Sequence, residues 1–554
     1  MSITHEVTGQ APPRLELNEF ETNVPLTEAV AAYDAGWAVD DLSSVGAHVG
    51  TQEFQHDAER ANRIGPELHT HDRYGNRIDE VEYDSSYSRI ISAAVAAGAH
   101  TSAWAAPRPG ANVARAATFM LFAQVEPGHA CPISMTHAAV PALAATPALA
   151  EKWMPRLLSR DYDGSLGGGV GGESESDGTA SAKSSALFGM AMTEKQGGSD
   201  VRANTTRADR TADGSYLLTG HKWFCSAPMS DGFLVLAQAQ AGLSCFLLPR
   251  VLDDGTRNVF RIQRLKDKLG NRSNASSEVE FDDTTAFLLG EEGRGVRTII
   301  EMVSRTRLDC IFGTTAGLRQ AVAEAAWHVR HRAAFGRMLV DQPAMTAVVA
   351  DLALEAEAAT WTALRLARAH DADAESGEIA FRRLATAVSK YWICKRGPEH
   401  AYEALECLGG NGYTEAFPLA RRYREQPVMA IWEGSGNVIA LDVLRALVRE
   451  SDSYEAFDSE VALAGGVSTE FDAHLDSTRA LVREIAASEP DAASRSARRL
   501  VGDLALALQA SLLIRNAPAA VADAFVASRL GAGRARLYGE LPASADLPAI
   551  LARA

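Results

Sequence analysis

Residues 189–204 read GMAMTEKQGGSDVRAN, and they begin a region whose sequence pattern differs from that of its neighbours. In this region, short runs that are apolar, or that alternate apolar and polar residues, are separated by the turn dipeptides Asp213-Gly214 and Asp254-Gly255. Runs of this length, bounded by Asp-Gly turns, predict a small antiparallel β domain over residues 188–288. We expect strands at 215–219, 233–239, 244–248 and 278–281.

On both sides of this region the apolar residues recur at helical spacing. Upstream, residues 1–187 are expected to be mainly helical, and downstream, residues 289–450 are expected to form a helical bundle. The segments with the clearest periodicity are 87–97, 113–125, 296–330, 345–369 and 380–408.

Two further segments have a distinct composition. Residues 451–554 contain no Trp and no Lys and are rich in Ala, Leu and Arg, which predicts an appended helical domain. Residues 164–185 are rich in Gly, Ser and Ala and are expected to form a mobile surface loop. The fold class is therefore mainly α with a central antiparallel β domain. A β domain between two helical regions lacks the strand–helix alternation of a Rossmann fold or a TIM barrel.

The composition predicts a multi-domain globular protein. Of the 554 residues, 46% are hydrophobic and 23% are charged, as in soluble proteins of several domains. No apolar run is long enough to cross a bilayer, and the N-terminal residues lack the pattern of a secretory signal, so we expect a cytoplasmic protein.

Cysteine spacing and net charge narrow the function classes further. The six cysteines contain no CxxC pair, which disfavours zinc binding and a disulfide framework and fits a reducing compartment. The net charge of −17 disfavours a nucleic-acid-binding surface that covers the whole protein.

Two glycine-containing segments have backbones suited to a phosphate-bearing ligand. The N–H groups of Gly197-Gly198-Ser199, with the hydroxyls of Thr193 and Ser199, are able to face phosphate or ring oxygens. Gly409-Gly410 and Gly412 would allow a similarly close approach of the backbone to a ligand. Isolated glycine pairs also occur in plain surface turns, so both interpretations stay open for each segment.

An aromatic and a basic residue are further candidates. Trp223, in the predicted strand GHKWFCS (220–226), is either a wall for a flat aromatic ligand or an ordinary half-buried strand residue. Arg332, in RAAFGRMLVDQ (332–342), suits a pyrophosphate through two parallel hydrogen bonds, or it marks a helix that ends at a glycine.

Glu433 is the candidate general base. In IWEGSGN (431–437) it lies between Trp432 and Gly434, so one side of its carboxylate is expected to be apolar and the other open. Such a setting raises the pKa of a carboxylate and makes it a usable base. The alternative is a residue near a helix N-cap without a chemical role.

These segments together resemble the acyl-CoA dehydrogenase family. The first family signature matches at Ala191, Met192, Thr193, Glu194, Gly197, Gly198, Ser199, Asp200 and Ala203. The second, from Glu406 to Glu425, matches except at Ala416, and the spacing from Arg424 to Glu433 also agrees. The chain is most similar to the AidB branch of alkylation-response flavoproteins, in stretches that include FMLFAQVEPGHACPISMT (119–136) and RLKDKLGNRSNASSEVEF (264–281).

The resemblance implies that FAD is the cofactor and that the fold consists of a helical domain, a β-barrel-like domain and a helical bundle. Trp223 would lie against the isoalloxazine ring. Arg332 and Phe335 would reach the ADP half from a neighbouring subunit of a homotetramer, as would Gly409 and Gly410. The implied FAD-binding residues are Met190, Met192, Thr193, Gly198, Ser199, Trp223, Phe224, Cys225, Ser226, Arg332, Phe335, Gly409, Gly410, Trp432, Ser435 and Asn437.

The resemblance also implies the reaction. Glu433 would take a proton from the α-carbon of an acyl-CoA thioester while flavin N5 accepts a hydride from the β-carbon, and no metal is needed. Arg307 would be a substrate residue. Many family members have Asp-Arg-Thr-Arg where this chain has Ser304-Arg305-Thr306-Arg307, which weakens the expected hold on the CoA adenine.

The AidB branch further implies a link to the DNA alkylation response, with double-stranded DNA bound through 451–554. This segment holds 10 Arg and 14 acidic residues, and so a net charge of −4. Phosphate contacts require local positive charge. The arginines at 495, 498, 499, 515, 529, 534 and 536 would either form one basic face or only cover a helical surface.

Three functions therefore stay open at this point. The first is an AidB-type flavoenzyme that acts on an acyl thioester through Glu433. The second is a DNA-binding flavoprotein that uses the fold mainly as a scaffold. The third is an ordinary dehydrogenase of short or branched acyl-CoA.

Overall fold

The computed structural model describes residues 4–166, 183–531 and 535–554. Most of the predicted loop at 164–185 lies outside these residues. The chain divides into two compact units. The helical unit comprises Met1–Gln55, Pro107–Val125 and Arg307–Ala554, and the sheet unit comprises His56–Ala106 and Glu126–Thr306.

The helices and strands are numbered in chain order. The helices are α1 Val24–Ala32, α2 Val39–Val49, α3 Gln52–Arg63, α4 Ser85–Ala96, α5 Ser102–Ala105, α6 Ala111–Ala123, α7 Ala130–Ala144, α8 Pro147–Leu157, α9 Gly295–His331, α10 Pro343–Arg368, α11 Ser376–Glu406, α12 Pro418–Met429, α13 Gly436–Arg449, α14 Ser451–Ala462, α15 Thr469–Ala486, α16 Pro490–Asn516, α17 Ala519–Arg529 and α18 Leu547–Leu551. The strands are β1 Glu67–His71, β2 Arg77–Glu82, β3 Phe188–Ala191, β4 Arg207–Arg210, β5 Tyr216–Ser226, β6 Gly232–Ala239, β7 Gly242–Pro249, β8 Arg261–Leu265, β9 Ser276–Leu289, β10 Ala333–Ala334 and β11 Arg337–Met338.

The main sheet of the sheet unit closes on itself. Its strand order is β3-β6-β4-β5-β9-β7, with β8 paired to β9 and β7 also paired to β6. Strands β4, β5, β9, β7 and β6 therefore form a closed ring. The pairs β3–β6 and β4–β6 are parallel and the other pairs of this sheet are antiparallel. The predicted antiparallel domain is thus confirmed as a barrel-like sheet, with two parallel pairs that the sequence pattern did not indicate.

The helical unit is organised around its two long helices α10 and α11. Helix α10 contacts α1, α6, α16 and α18, whereas α11 contacts α12, α13, α14 and α16. Helix α10 is buried continuously from Val349 to Ala367, and about half of the residues of α11 are buried. Residues 451–554 belong to this unit, with α16 packed on α10, α11 and α13. No helix among the described residues is both long and apolar enough to cross a membrane.

Most predicted elements occur within a few residues of their expected positions. The helix predicted at 296–330 is α9, and the strands predicted at 233–239 and 244–248 are β6 and β7. The hairpin of β1 and β2 was missed because its sequences, ELHTH and RIDEVE, are mostly polar and lack an apolar run.

A buried carboxylate fixes the start of α7 in the sheet unit. The Glu126 side chain accepts hydrogen bonds from the N–H groups of Gly128 (3.0 Å) and His129 (2.8 Å) and from the Ser273 hydroxyl (2.5 Å). Burial disfavours its ionisation, but the hydrogen bond and charge of His129, with Ser273, outweigh burial and lower the pKa of Glu126 to about 2. The ionised form is therefore the one that the fold stabilises.

We expect Glu126→Gln to lower the free energy of unfolding at pH 7 by about 3 kcal/mol, because the pKa falls from 4.5 to about 2 on folding. A lowered folded-state pKa gives stability that is present above pH 4.5 and is lost as the pH falls toward 2. Urea unfolding of both proteins as a function of pH measures this. A difference that does not shrink on acidification would contradict the assignment.

Candidate functional site

The predicted cofactor residues occur in both units, and each group is described within its own unit. In the sheet unit the segment after β3 turns back on itself: Gly197 N–H donates to Glu194 O (3.0 Å) and Glu194 N–H to Gly197 O (3.3 Å). Gly198 and Ser199 are exposed beyond this turn. A Cβ at position 198 would lie 2.5 Å from Thr193 Oγ1, so only glycine lets the backbone come this close to that hydroxyl.

A fully buried ion pair anchors this loop. The carboxylate of Glu194 accepts hydrogen bonds from Lys222 Nζ (2.8 Å), Thr206 Oγ1 (2.7 Å) and the N–H of Thr205 (2.7 Å). Lys222 also donates to Leu236 O (2.8 Å). Burial alone would raise the pKa of Glu194, but Lys222 and these donors hold the pKa well below its usual range. Glu194 and Lys222 were not predicted as site residues, although Glu194 belongs to the first family signature.

Trp223 and Phe224 lie at an irregularity of strand β5. The pairing of β5 with β9 shifts register between Lys222 and Cys225, as in a β-bulge. Trp223 is half-buried and Phe224 is 50% exposed, whereas Cys225 is fully buried in the apolar core. Its carbonyl accepts a hydrogen bond from the Ser277 hydroxyl (2.9 Å), so Cys225 is held inside the sheet and is not exposed to a ligand. Burial raises the pKa of its thiol to about 12.

The bulge brings two predicted segments together. The backbone N–H of Trp223 donates to Thr193 O at 2.8 Å. Lys195 Nζ lies 5.9 Å from the centroid of the Trp223 ring, so the indole lies near the glycine-containing loop that follows β3. Lys266 Nζ lies 3.1 Å from the centroid of the Trp223 ring and donates to Glu278 Oε1 (2.6 Å). Ser226 Oγ is 3.3 Å from Ser276 Oγ. A polar loop beside a half-buried indole suits a ligand with one phosphate part and one aromatic part.

In the helical unit a hairpin presents one aromatic ring to solvent. Strands β10 and β11 are joined by the two-residue turn Phe335-Gly336, in which both residues have positive φ, +53° and +79°. Such a turn normally carries Asn or Gly at its first position, so phenylalanine is strained there. Phe335 is 95% exposed, and the neighbouring Arg332 donates to the carbonyl of Gly9.

Glycines 409, 410 and 412 differ in what surrounds them. A Cβ at Gly409 or Gly410 would have no atom within 4 Å, so this backbone is open to a ligand. At Gly412 a Cβ would lie 2.1 Å from Leu405 O, so packing alone requires that glycine.

Glu433 lies in the short connection between α12 and α13. It adopts a left-handed conformation with φ +56°, and Gly434 follows with φ +106°. The Glu433 side chain and the neighbouring Trp432 are half-buried, whereas Ser435 and Asn437 are exposed. Ser435 is the N-cap residue of α13 but makes no capping side-chain bond. Glu433 therefore lies near a helix N-cap, as one of the two interpretations of the sequence expected, and its own backbone conformation is unusual.

Two cations contact the backbone around Glu433. Lys390 Nζ donates to Trp432 O (2.8 Å) and to Gly434 O (2.6 Å), and Arg307 Nε donates to Glu433 O (3.0 Å). Arg307 also pairs with Asp442 (2.9 Å). Arg307 was predicted as a substrate residue, and that role stays a prediction. Lys390 was not predicted, although a lysine within the apolar helical stretch AVSKYWIC (387–394) was a visible signal.

Some arginines of the predicted basic face of residues 451–554 form ion pairs with acidic residues of the same unit. Arg529 is buried and pairs with Asp351, so its assignment to a surface was wrong. Arg515 pairs with Glu460 at 2.7 Å. Arg534 lies outside the described residues. The exposed arginines of the set are those at positions 495, 498, 499 and 536.

Comparison with known families gives three adjacent matches. Residues 9–164 match the adaptive response protein AidB N-terminal domain, residues 189–284 the acyl-CoA dehydrogenase middle domain, and residues 293–448 the acyl-CoA dehydrogenase C-terminal domain.

Two curated relatives are similar over most of their length. A protein of Escherichia coli (strain K12) described as "Putative acyl-CoA dehydrogenase AidB" is 47% identical over 471 residues, which are 85% of each chain. Acyl-CoA dehydrogenase family member 11 of Caenorhabditis elegans is 29% identical over 453 residues, 78% of this chain and 70% of that one.

Solved structures share the fold. ACDH-11 of Caenorhabditis elegans in complex with C11-CoA superposes with a TM-score of 0.84 at 24% identity, covering 95% of this chain and 91% of that one. The FAD complex of an acyl-CoA dehydrogenase from Bacillus anthracis gives a TM-score of 0.61 at 16% identity, covering 92% of this chain and 81% of that one.

Proposed function

The chain belongs to the acyl-CoA dehydrogenase family, and from this premise we propose that it is an FAD-dependent oxidoreductase of the AidB branch in which Glu433 is the catalytic base. The observation that carries the proposal is the setting of Glu433. A half-buried carboxylate lies on a short left-handed connection whose backbone is held by Lys390 and Arg307. A half-buried carboxylate on a backbone that is held in this way is suited to take the acidic proton at the α-carbon of an acyl thioester.

Each unit by itself contains residues that suit part of FAD. In the sheet unit, Gly198 and Ser199 are exposed beside the half-buried Trp223, which suits a pyrophosphate and a flat ring. In the helical unit, Gly409 and Gly410 are open to a ligand. When bound, FAD supplies the acceptor for the hydride that leaves the β-carbon. The other predicted cofactor residues retain the roles that the family resemblance gives them, as part of this proposal.

We assign Arg332 and Phe335 to the cofactor of a neighbouring chain in a homotetramer. Their hairpin supports this assignment, because a strained and almost fully exposed phenylalanine is stabilised by a partner that covers it.

The proposed substrate is an acyl-CoA thioester. Support comes from the similar Caenorhabditis elegans structure, which contains C11-CoA. Arg307 is engaged with Glu433 O and Asp442, and Ser304 stands where many family members have an acid, so CoA recognition is expected to differ from that of ordinary short- or branched-chain enzymes.

We expect the purified yellow protein to lose its flavin absorption when mixed anaerobically with the acyl-CoA thioester that it oxidises. The measurement is the absorbance near the flavin maximum with a panel of straight and branched acyl-CoA compounds, and free CoA is the control. Absence of bleaching with every thioester of the panel, in protein that contains FAD, would contradict the proposed reaction. Bleaching only by short or branched chains would favour the ordinary dehydrogenase.

A function on double-stranded DNA receives less support. Arg529 and Arg515 bind acidic residues within the helical unit, and 451–554 carries a net charge of −4. Binding to DNA phosphates requires a concentrated positive surface. Among the described residues of this segment, the exposed arginines of the predicted basic face are those at 495, 498, 499 and 536. Four exposed arginines in a segment of net negative charge favour the enzyme hypothesis over the DNA-binding one.

A further inference from the structure

Three consecutive carbonyl groups around Glu433 accept hydrogen bonds from cationic side chains. Lys390 Nζ lies 2.8 Å from Trp432 O and 2.6 Å from Gly434 O, and Arg307 Nε lies 3.0 Å from Glu433 O. Hydrogen bonds with a charged donor are about twice as strong as neutral ones. The backbone on either side of the proposed base is therefore bound to a single ammonium group.

The backbone at this point is one that would not be stable by itself. Glutamate carries a Cβ, and a left-handed conformation (φ +56° at Glu433) costs such a residue about 1–2 kcal/mol. Strained backbone persists only where the surroundings hold it in place. Gly434, directly after Glu433, also has a positive φ (+106°), which glycine adopts without strain, so the strain lies at Glu433. External restraints are therefore needed to keep the Glu433 side chain in one direction.

Lys390 is itself held in a single position. It lies in the middle of α11 and is 1% exposed, so its side chain has little freedom to move. Both of its hydrogen bonds that the structure describes go to carbonyl oxygens of the connection, in contrast to Lys222, which pairs with a carboxylate. Burying an ammonium group costs free energy unless the group is well hydrogen-bonded. The two bonds of Lys390 are therefore expected to persist, and they link α11 to the connection that carries Glu433.

We propose that Lys390, assisted by Arg307, is a positioning residue for proton abstraction: by bonding to the carbonyls on both sides of Glu433 it fixes the direction of the catalytic carboxylate. The inference rests on the proposed function of Glu433. A rigid connection would hold the carboxylate oxygen close to the α-proton, whereas a displacement of about 1 Å is enough to slow a reaction about 100-fold.

The test compares Lys390→Met with a matched variant on the same helix. Arg382 also lies on α11 and donates to a backbone carbonyl, that of Ala369 (3.1 Å), so Arg382→Met removes a similar bond elsewhere. We expect Lys390→Met to lower the rate of flavin reduction at saturating acyl-CoA by about 100-fold with KM changed by less than about threefold. Arg382→Met should keep a rate within about twofold of the wild type.

A second readout does not depend on catalysis. Hydrogen exchange of the amides at 431–436 should be faster in Lys390→Met than in the wild type or Arg382→Met, at equal FAD content. If Lys390→Met does not fold, Lys390→Gln keeps N–H donors on a shorter neutral side chain and should give an intermediate rate.

The outcomes separate the two proposals. If the wild type is bleached by acyl-CoA but Lys390→Met reacts at the same rate, or if both variants slow equally, the positioning role is wrong and the function of Glu433 stands. If the wild type is not bleached by any thioester, the proposed function fails, and the exchange measurement still decides whether Lys390 holds the connection. Unchanged exchange at 431–436 in Lys390→Met would overturn the inference.

Discussion

Flavin reduction by an acyl-CoA thioester is expected to be abolished in Glu433→Gln, while FAD stays bound. The amide has nearly the shape of the carboxylate but cannot accept the α-proton, and a general base contributes about 10²–10⁴-fold to the rate of such a step. The backbone bonds from Lys390 and Arg307 involve carbonyl oxygens and are retained in the variant. We therefore expect a loss of about 10⁴-fold in the rate of bleaching.

The measurement is anaerobic stopped-flow absorbance of the flavin, with FAD content determined separately. Glu399→Gln is the matched control, because Glu399 lies on α11 with 73% of its side chain exposed and pairs with Arg396 (3.1 Å). A wild-type rate in Glu433→Gln would show that the base is a different residue. Loss of FAD in this variant would instead assign Glu433 a role in binding.

Loss of the buried Lys222 ammonium is expected to cause a large decrease in stability. In Lys222→Met the carboxylate of Glu194 would stay buried without its cation, and breaking a buried ion pair by removing one partner costs about 3–5 kcal/mol. Both side chains are fully buried, and the nitrogen lies 2.8 Å from the carboxylate oxygen. Because Glu194 anchors the loop of Gly198 and Ser199, we expect FAD to be lost as well.

Urea unfolding and FAD retention measure this prediction. Lys152→Met is the control, because Lys152 forms a surface pair with Asp253 (side chains 32% and 76% exposed) and should cost less than about 1 kcal/mol. The double variant Glu194→Gln/Lys222→Met should recover part of the stability, since no unpaired charge stays buried. Equal stability of Lys222→Met and Lys152→Met would contradict the structural role.

The sequence was sufficient to predict the fold class and the family. Strands and helices could be distinguished from one sequence because buried apolar residues recur every two residues in a strand and about every 3.6 residues in a helix. The predicted relation to the acyl-CoA dehydrogenase family and its AidB branch is confirmed by the matches over residues 9–164, 189–284 and 293–448. The individual site residues, including Glu433 and Trp223, stay predictions supported by their surroundings.

What the sequence could not supply were contacts between distant positions. The pairing of Lys222 with Glu194 joins residues 28 positions apart, and the bonds of Lys390 reach carbonyls 42 and 44 positions further along the chain. Backbone carbonyls have no sequence signature, so a lysine that binds them resembles any other buried lysine. The burial of Arg529 was missed for the same reason, since its partner Asp351 lies 178 positions away.

The closed ring of β4, β5, β9, β7 and β6 has a consequence for the behaviour of the protein during storage and expression. Exposed strand edges are templates on which other chains add by backbone pairing, the first step of aggregation. In the described part of this sheet the strands left at the margin are β3 and β8, of four and five residues. Because such short margins offer few unpaired N–H and C=O groups, the sheet is expected to resist edge-to-edge association even when the helices around it loosen.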